Sequence, residues 1–396
     1  MNFFISITWV YILAAVLPIL ILPLLLPKVA LMARRKNITD KPNERKLQRV
    51  PVMVTGGTVI IAVLCSVLLI LNVFYRLDPL FSSLCVMFIM YIFGLLDDTI
   101  GLTYQFKFVG QIICVSLLFL CGGFQIVIPI PAHGWAMLVS YVVSLFVGLL
   151  LINAYNFIDG IDGLASAIGI MLAGVFSWWN IRHGLVTDAL LSLSIASALL
   201  GFFFFNVFSS KYKMYLGDSG SLVLGIAAYI PVCVSSTRFY ATPIDLEVYE
   251  PGFFFAVFSV MVFDLARVVF VRLSMHKSPF LPDRNHLHHV LVDVGLTHHV
   301  ATLLILSLNL LVLLVWYLTA QTGMNEWLQL ALVVVTAVII IWTPYFWLTY
   351  LRTKRPRKYV RLRTNMDRWM HFDRMYKSFM QRVVDNGFID MIWRSR

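Results

Sequence analysis

Residues 8 to 32 carry a single charged side chain, Lys28, and runs of similar length and greasiness recur at 52 to 74, 80 to 96, 107 to 121, 135 to 153, 163 to 181, 186 to 207, 217 to 236, 252 to 273, 300 to 319 and 326 to 350. A hydrocarbon layer about 30 Å thick is crossed by about 20 helical residues. Backbone groups inside it must be satisfied within their own segment or in a closed barrel. Runs this long and this uniformly apolar do not alternate as barrel strands would. The chain therefore reads as an all-α, polytopic integral membrane protein with about eleven transmembrane helices. With 60% hydrophobic and 13% charged residues, no other class accommodates it.

Charge orients the bundle. One set of alternate loops holds Arg34, Arg35, Lys36, Lys41, Arg45, Lys46 and Arg49, then Lys107, Lys211 and Lys213, then Arg272, Lys277 and Arg284, and lastly the basic tail. The other set holds only Arg76, Arg182 and Arg238. The positive-inside rule puts the first set in the cytoplasm, the N-terminus outside and the C-terminus inside. The excess of 31 Lys+Arg over 20 Asp+Glu thus describes topology and contact with membrane lipids, and no nucleic-acid motif accompanies it. Cysteines 65, 85, 114, 121 and 233 form no CxxC pair and read as small buried residues. The first run lacks a basic flank before it and has one after it, the reverse of a cleavable signal, so it is expected to remain as an anchor. Residues 1–351 read as a transmembrane catalytic domain and 352–396 as a basic amphipathic tail.

This orientation gathers the chain's unusual polar groups on one face. Asp97 and Asp98, the 153 to 162 segment, Asp218 and the His286, His288, His289 group all fall in cytoplasmic loops or at their edges. The opposite loops offer nothing comparable: 122 to 134 is uncharged and Pro-rich, a short hairpin, and Asp245, Glu247 and Glu250 are the acids of the 237 to 251 loop. No strong internal repeat supports an inverted-repeat transporter.

Four stretches carry the chemistry. In GLLDDTIGLTYQFKFVGQ, residues 94 to 111, two adjacent carboxylates end a helix, where the dipole disfavours them by about 0.3 to 1 kcal/mol. A metal or phosphate site with Lys107 as the positive partner explains that cost, and a solvated cap is the plainer alternative. In NAYNFIDGIDGLASAIG, residues 153 to 169, Asp159 and Asp162 share a face if the spacing is helical, and Gly160 and Gly163 permit close approach of a ligand. Capping accounts for one or two of Asn153, Asn156, Asp159 and Asp162 but not for all four. In KMYLGDSGSLVLG, residues 213 to 225, Asp218 sits in a turn whose amides suit an anion and whose carboxylate suits a hard cation such as Mg²⁺, or equally an N-cap. Asn206, just before, reads either as a site residue or as an interhelical hydrogen bonder.

The fourth stretch, residues 264 to 299, holds six of the nine histidines, with Asp283, Arg284, His286, His288 and His289 in a dense patch. Without a cysteine and with this spacing it is a poor zinc site, and imidazoles beside Arg284 suit a pyrophosphate better. Asp264 and Arg267 form an (i, i+3) pair that eases burial of both. Hard-metal carboxylates with Lys, Arg and His donors, on one face of a lipid-embedded bundle, are what phosphoryl transfer between a nucleotide and a lipid phosphate requires.

Five motifs in order, KPNERKLQRVPVMVTGG (41 to 57), Asp97-Asp98 with Lys107, NAYNFIDGIDGLA (153 to 165), LGDSGS (216 to 221) and PDRNHLHH (282 to 289), resemble the polyprenyl-phosphate N-acetylhexosamine-1-phosphate transferases over roughly residues 40 to 300. HLHH after Pro-Asp-Arg is closer to the undecaprenyl-phosphate GlcNAc-1-phosphate branch than to the phospho-MurNAc-pentapeptide branch. The resemblance implies transfer of a sugar-1-phosphate, GlcNAc-1-phosphate in the first instance, from a UDP-N-acetylhexosamine to undecaprenyl phosphate, with release of UMP and with Mg²⁺, or Mn²⁺ in its place. This would be the initiating step of a cell-envelope polysaccharide such as lipopolysaccharide, at the cytoplasmic face of a bacterial inner membrane. It implies Asp218 as leading metal ligand with Asp98; Asp97, Asp98 and Lys107 as the catalytic group at the lipid phosphate; and Asn156, Asp159, Asp162, Asn206, Arg284, His286, His288 and His289 around the nucleotide sugar.

Two features depart from the family pattern. The aligned stretch runs Asp97, Asp98, Thr99, so a third carboxylate found in some relatives has no counterpart. The tail places Trp369, Phe372, Tyr376, Phe379 and Val383 at helical spacing beside Arg368, Arg374, Lys377 and Arg382, the pattern of an interfacial helix on an anionic leaflet or of a partner-binding helix. Rivals from other classes are a transporter or scramblase, which needs ionisable groups near span centres, and a glycosyltransferase with a lipid-linked donor, which needs acids on the outer face. The sequence does not distinguish the N-acetyl sugar. Oligomeric state is not legible in it, with a homodimer as the assembly to test.

Overall fold

The computed structural model describes residues 6–35, 39–40, 52–75, 78–127, 135–241, 251–278 and 284–388. Fourteen α-helices are found among them: α1 (Ile7–Arg35), α2 (Gly56–Tyr75), α3 (Asp78–Ile100), α4 (Tyr104–Gly122), α5 (Trp135–Ile158), α6 (Leu164–Arg182), α7 (Val186–Phe208), α8 (Gly217–Ala241), α9 (Pro251–Val257), α10 (Ser259–Ser274), α11 (Leu287–Asp293), α12 (His298–Ala320), α13 (Glu326–Lys354) and α14 (Pro356–Arg382). A π-helical turn, Val383–Phe388, continues α14, and two short strands, β1 (Thr39–Asp40) and β2 (Val52–Met53), pair antiparallel. The protein is an all-α integral membrane protein. Ten of the described helices are long and apolar enough to cross a membrane, or eleven if a bent pair counts as one span.

That pair corrects the expectation of a continuous helix over 252 to 273. α9 and α10 meet at 75°. The bend frees backbone groups that membrane interior cannot hydrate, and one buried side chain of α12 satisfies them. Asn309 accepts from the Val260 amide at 3.0 Å and from the Ser259 hydroxyl at 3.1 Å, and donates to the carbonyls of Val257 at 3.1 Å and Ala256 at 3.3 Å.

The chain divides into two compact units. Of the described residues, the first holds those up to Asn156 and again from Ser166 to Ala241; the second holds Phe157–Ala165 and those from Pro251 onward. The FIDGIDGLA stretch is thus an excursion of the first unit's chain into the second. Within the first unit the long apolar faces pack closely, with α8 the most enclosed of the candidate spans. Small polar contacts fix the helices: the Ile19 amide of α1, next to Pro18, donates to Ser197 of α7 at 3.0 Å, and Asn153 of α5 exchanges hydrogen bonds with Gln111 of α4 at 2.7 and 3.3 Å.

Lys36, Lys41, Arg45, Lys46, Arg49 and Arg76 lie outside the described residues, as do 128–134 of the expected hairpin, Asp245, Glu247, Glu250, Pro282 and Asp283.

Candidate active site

In the first unit, the end of α3, the start of α4, the end of α5 and the start of α8 meet. Alternating spans require this, since each of these ends belongs to the same face of an antiparallel bundle. Lys107 of α4 lies between two carboxylates: its Nζ is 2.8 Å from Asp218 Oδ2 and forms an ion pair with Asp97 Oδ2. Asn156 of α5 donates to the other Asp218 oxygen at 2.6 Å and to the Ser221 hydroxyl at 2.8 Å. Asp97 also accepts the Leu102 amide at 2.7 Å, which closes the turn after α3. The dipole cost of placing Asp97 at a helix C-terminus is offset by this lysine and this amide.

Asp98 meets the first turn of α8. Its Oδ1 accepts the Asp218 amide at 2.8 Å and its Oδ2 the Ser219 amide at 3.0 Å, so it caps the N-terminus of α8 from a neighbouring helix. The anion held by the amides of the Gly-Asp-Ser-Gly turn is therefore this carboxylate. Asp98 thereby fixes the backbone that carries Asp218. The turn leaves no room for larger residues. Gly217 has φ +73°, and a Cβ there would stand 2.6 Å from Asp98 Oδ2; one at Gly94 of α3 would collide with the Ser219 backbone.

Two motifs read separately in the sequence are hydrogen-bonded side by side. Tyr215 donates its amide to the Met53 carbonyl at 2.8 Å, and Gly56 and Gly57 donate theirs to Tyr215 and Leu216 at 3.0 and 2.9 Å. Asn206 is buried beside this scaffold and donates to the Met214 carbonyl at 2.7 Å, which holds the segment that leads into Asp218.

The second unit assembles the other predicted residues. Asp159 and Asp162 are in turns between α5 and α6, so helical spacing does not place them on one face. The excursion packs on the histidines: Phe157 stacks on His286 with centroids 5.6 Å apart, and a Cβ at Gly160 would collide with His288 Nε2. His286 and His288 stack with centroids 5.7 Å apart, and His289 meets His288 at a tilt with centroids 4.2 Å apart. His288 is buried, and its Nε2 has no hydrogen-bond partner among the described residues. Burial first, and then the neighbouring His289 and His286, push its pKa well below the ordinary histidine value, so the ring is neutral.

Asp264 and Arg267 do more than pair with each other. Arg267 Nη2 is 2.7 Å from Asp264 Oδ1 and donates to the Asn285 carbonyl at 2.6 Å, and its guanidinium lies 3.6 Å from the Tyr345 ring centroid. Asp264 accepts the Leu287 amide at 3.1 Å and meets His286 Nδ1 at 2.9 Å. A buried ion pair in α10 thus clamps the loop that presents the histidines. Arg284 is exposed and pairs with Asp293 at 3.0 Å.

Sequence reasoning missed one group. Asp162 is buried, 3.2 Å from His298 Nδ1 and 3.7 Å from Lys377 Nζ of the tail, while Asp373 of the tail pairs with His299 and accepts the Thr297 hydroxyl at 2.5 Å. The signal for it was the pattern Asp373, Lys377 at i and i+4, one helical face away from the aromatic stripe.

A divalent cation is implied by the motifs, and the donor set of the first unit fits a hard one. Asp97 and Asp218 offer only oxygen, and each keeps acceptor capacity beyond the contacts just given. Among the described residues no group of three or more His, Cys, Asp or Glu forms a ready cage. Mg²⁺ does not need one, because it commonly takes one or two carboxylates and completes its shell with water and substrate phosphate.

Bundle and cluster together define a polytopic membrane protein with a lysine–carboxylate cluster at its helix ends, and the comparisons sharpen that class. Residues 80–236, which contain Asp97, Asp98, Lys107, Asn156 and Asp218, match the family described as Glycosyl transferase family 4. The chain is 27% identical over 308 residues to an undecaprenyl-phosphate alpha-N-acetylglucosaminyl 1-phosphate transferase of Yersinia pestis, covering 76% of this chain and 82% of that protein. It is 26% identical over 311 residues to the protein of the same name in Escherichia coli strain K12, with the same coverage of 76% and 82%. It is 34% identical over 235 residues to a decaprenyl-phosphate N-acetylglucosaminephosphotransferase of Mycolicibacterium smegmatis, and there it spans 54% of this chain and 56% of the relative. The family resemblance drawn from the motifs is borne out.

Proposed function

We propose that this chain transfers GlcNAc-1-phosphate from UDP-GlcNAc to undecaprenyl phosphate, releasing UMP, at the cytoplasmic face of a bacterial inner membrane. The observation that carries the proposal is Lys107 set between Asp97 and Asp218, with Asn156 holding the second Asp218 oxygen. The names of the relatives supply the substrate class, and the alternating Lys/Arg-rich loops supply the side, with the N-terminus outside. The phospho-MurNAc-pentapeptide alternative has no support among these relatives. A transporter needs ionisable groups at span centres, whereas this cluster lies at helix ends.

In the proposed reaction a lipid-phosphate oxygen attacks the sugar-bearing phosphorus of the donor. One P–O bond forms, the bond to the bridging oxygen breaks, and UMP leaves with that oxygen and its negative charge. A phosphate monoester with a second pKa of about 6 is already largely ionised at neutral pH, so positioning outweighs base strength. Lys107 brings a positive charge to the place where two phosphates must meet, and Asp97 orients that lysine. Asp98 fixes the first turn of α8, and with it Asp218. Mg²⁺, or Mn²⁺, held by Asp218 and Asp97 would neutralise the pyrophosphate and the departing charge. The family resemblance assigns Asp159, Asp162, Arg284, His286, His288 and His289 to the nucleotide sugar, and within the second unit Asp264 and Arg267 order the histidine loop.

The test is incubation of the purified protein with radiolabelled UDP-GlcNAc, Mg²⁺ and undecaprenyl phosphate, with UMP and a lipid-linked diphosphate sugar as the expected products. No product with any UDP-N-acetylhexosamine would overturn the proposal. Rapid quenching of a single turnover separates direct attack, which leaves no phosphorylated carboxylate, from a two-step route through an aspartyl phosphate. The same preparation, measured for mass in solution, tests the homodimer.

A further inference from the structure

The transferase chemistry leaves α14 unexplained. Its 27 residues carry eight Lys and Arg against two Asp. Both aspartates are engaged: Asp373 with His299 and Thr297, and Asp367 with Arg374 at 2.9 Å. The helix therefore presents a large positive surplus.

Its direction follows from contacts within the second unit. α12 and α13 are consecutive spans joined by a short turn, so the start of α12 and the end of α13 lie at the same membrane face. Arg352, in the last turn of α13, is 3.9 Å from Asp293, at the end of α11 just before α12. Pro356 begins α14 after a single non-helical residue, Arg355. Asp373, 17 residues later, touches the first turn of α12. Seventeen helical residues span about 25 Å. A helix standing straight out from the membrane would carry Asp373 that far from α12, so α14 must run along the face.

The two sides of α14 then have different surroundings. Met370, Asp373 and Lys377 turn to α12 and the excursion, and Met370 is buried. Trp369, Phe372, Tyr376 and Phe379, spaced by three and four residues, form another stripe, and Trp369 and Phe372 are 70% and 82% exposed. Arg361 and Arg368 extend that stripe towards the N-terminus of the helix and are exposed. A basic and aromatic stripe on a helix that lies at the hydrocarbon edge is complementary to anionic headgroups above an acyl boundary. A second copy would bring two surfaces of the same positive sign together.

We propose that the outer stripe of α14 is a binding surface for anionic phospholipid. Full-length protein carrying p-benzoylphenylalanine in place of Phe372 is placed in nanodiscs of phosphatidylcholine alone or of an equal mixture with phosphatidylglycerol, and illuminated. The expected result is a covalent lipid adduct whose yield rises roughly tenfold with phosphatidylglycerol, the gain being lost when Arg361→Gln and Arg368→Gln are added. Unchanged thermal unfolding of these exposed-site variants shows that the fold is retained. A covalent protein dimer, an equal yield in both lipids, or no adduct in either would each overturn the proposal.

Discussion

The carboxylate cluster of the first unit, at helix ends, and the Asp264–Arg267 clamp of the second, midway along α10, are built on opposite principles. Lys107 and Asp218 keep side-chain exposures of 30% and 28%, so their charges meet solvent and incoming anions. Arg267 and Asp264 are 0% and 4% exposed, and every oxygen of that aspartate is spoken for. An open cluster can exchange its partners for a substrate; a sealed one can only hold a shape. Substitutions in the two places should therefore fail in different ways.

The largest effect is expected in the sealed pair. Arg267→Ala leaves Asp264 buried without its counter-charge, a loss of about 3 to 5 kcal/mol. Thermal unfolding in detergent should show a drop of many degrees, with activity lost because the protein unfolds. A stable Arg267→Ala protein would erase the distinction. Lys107→Ala should invert that signature, lowering turnover by about 10² to 10³, as expected when a donor aimed at developing charge is removed. Its unfolding temperature should stay within a few degrees of the parent, and calorimetry beside a turnover assay reads both.

Asp98 sharpens the comparison inside the open cluster. If it caps α8, Asp98→Ala costs about 1 to 2 kcal/mol of stability. The Mg²⁺ concentration for half-maximal activity should then hardly move in Asp98→Asn and should rise clearly in Asp218→Asn. Equal rises in both variants would restore Asp98 as a metal ligand.

The smallest effect concerns pH. Because folding holds His288 neutral, with a pKa well below the ordinary 6.5, its contribution is intact above that value. As the pH falls below 6.5 the unfolded chain takes up a proton that the folded one refuses, and stability declines by at most about 1.4 kcal/mol per pH unit. Unfolding curves at pH 7.5 and 5.5 should therefore separate more for the parent than for His288→Gln, which cannot take up that proton.

Much of the fold was legible because membrane solvent is such a strict judge: ten of the eleven expected spans appear as single long helices. The exception, α9 with α10, was not, because the residue that permits the bend, Asn309, lies fifty positions away in an apolar run where it looks like one stray amide. That Asp97, Lys107, Asn156 and Asp218 come together was foreshadowed, since carboxylates and a lysine at span ends of one membrane face need partners there. The backbone contacts of Asp98 and Asn206 were not legible, because an acceptor or amide in a motif looks the same whether it faces a ligand or the backbone of a neighbouring segment. Lys377 was read as part of a basic tail; the i, i+4 spacing of Asp373 and Lys377 marks a polar helix face, but not that Asp162 and His299 are its partners.

What the sequence alone determined is the set of helices, their alternation across the membrane and the face on which the charges gather, because hydrophobic length and charge act locally along the chain. What only the tertiary structure decided is which partner each polar atom takes. Lys107 between Asp97 and Asp218, Asp98 on the amides of α8, and Asp264 on the histidine loop join residues 10 to 121 positions apart. Desolvation at the end of a packed bundle forces every such atom to find a partner, but the partner is chosen by the packing of the helices.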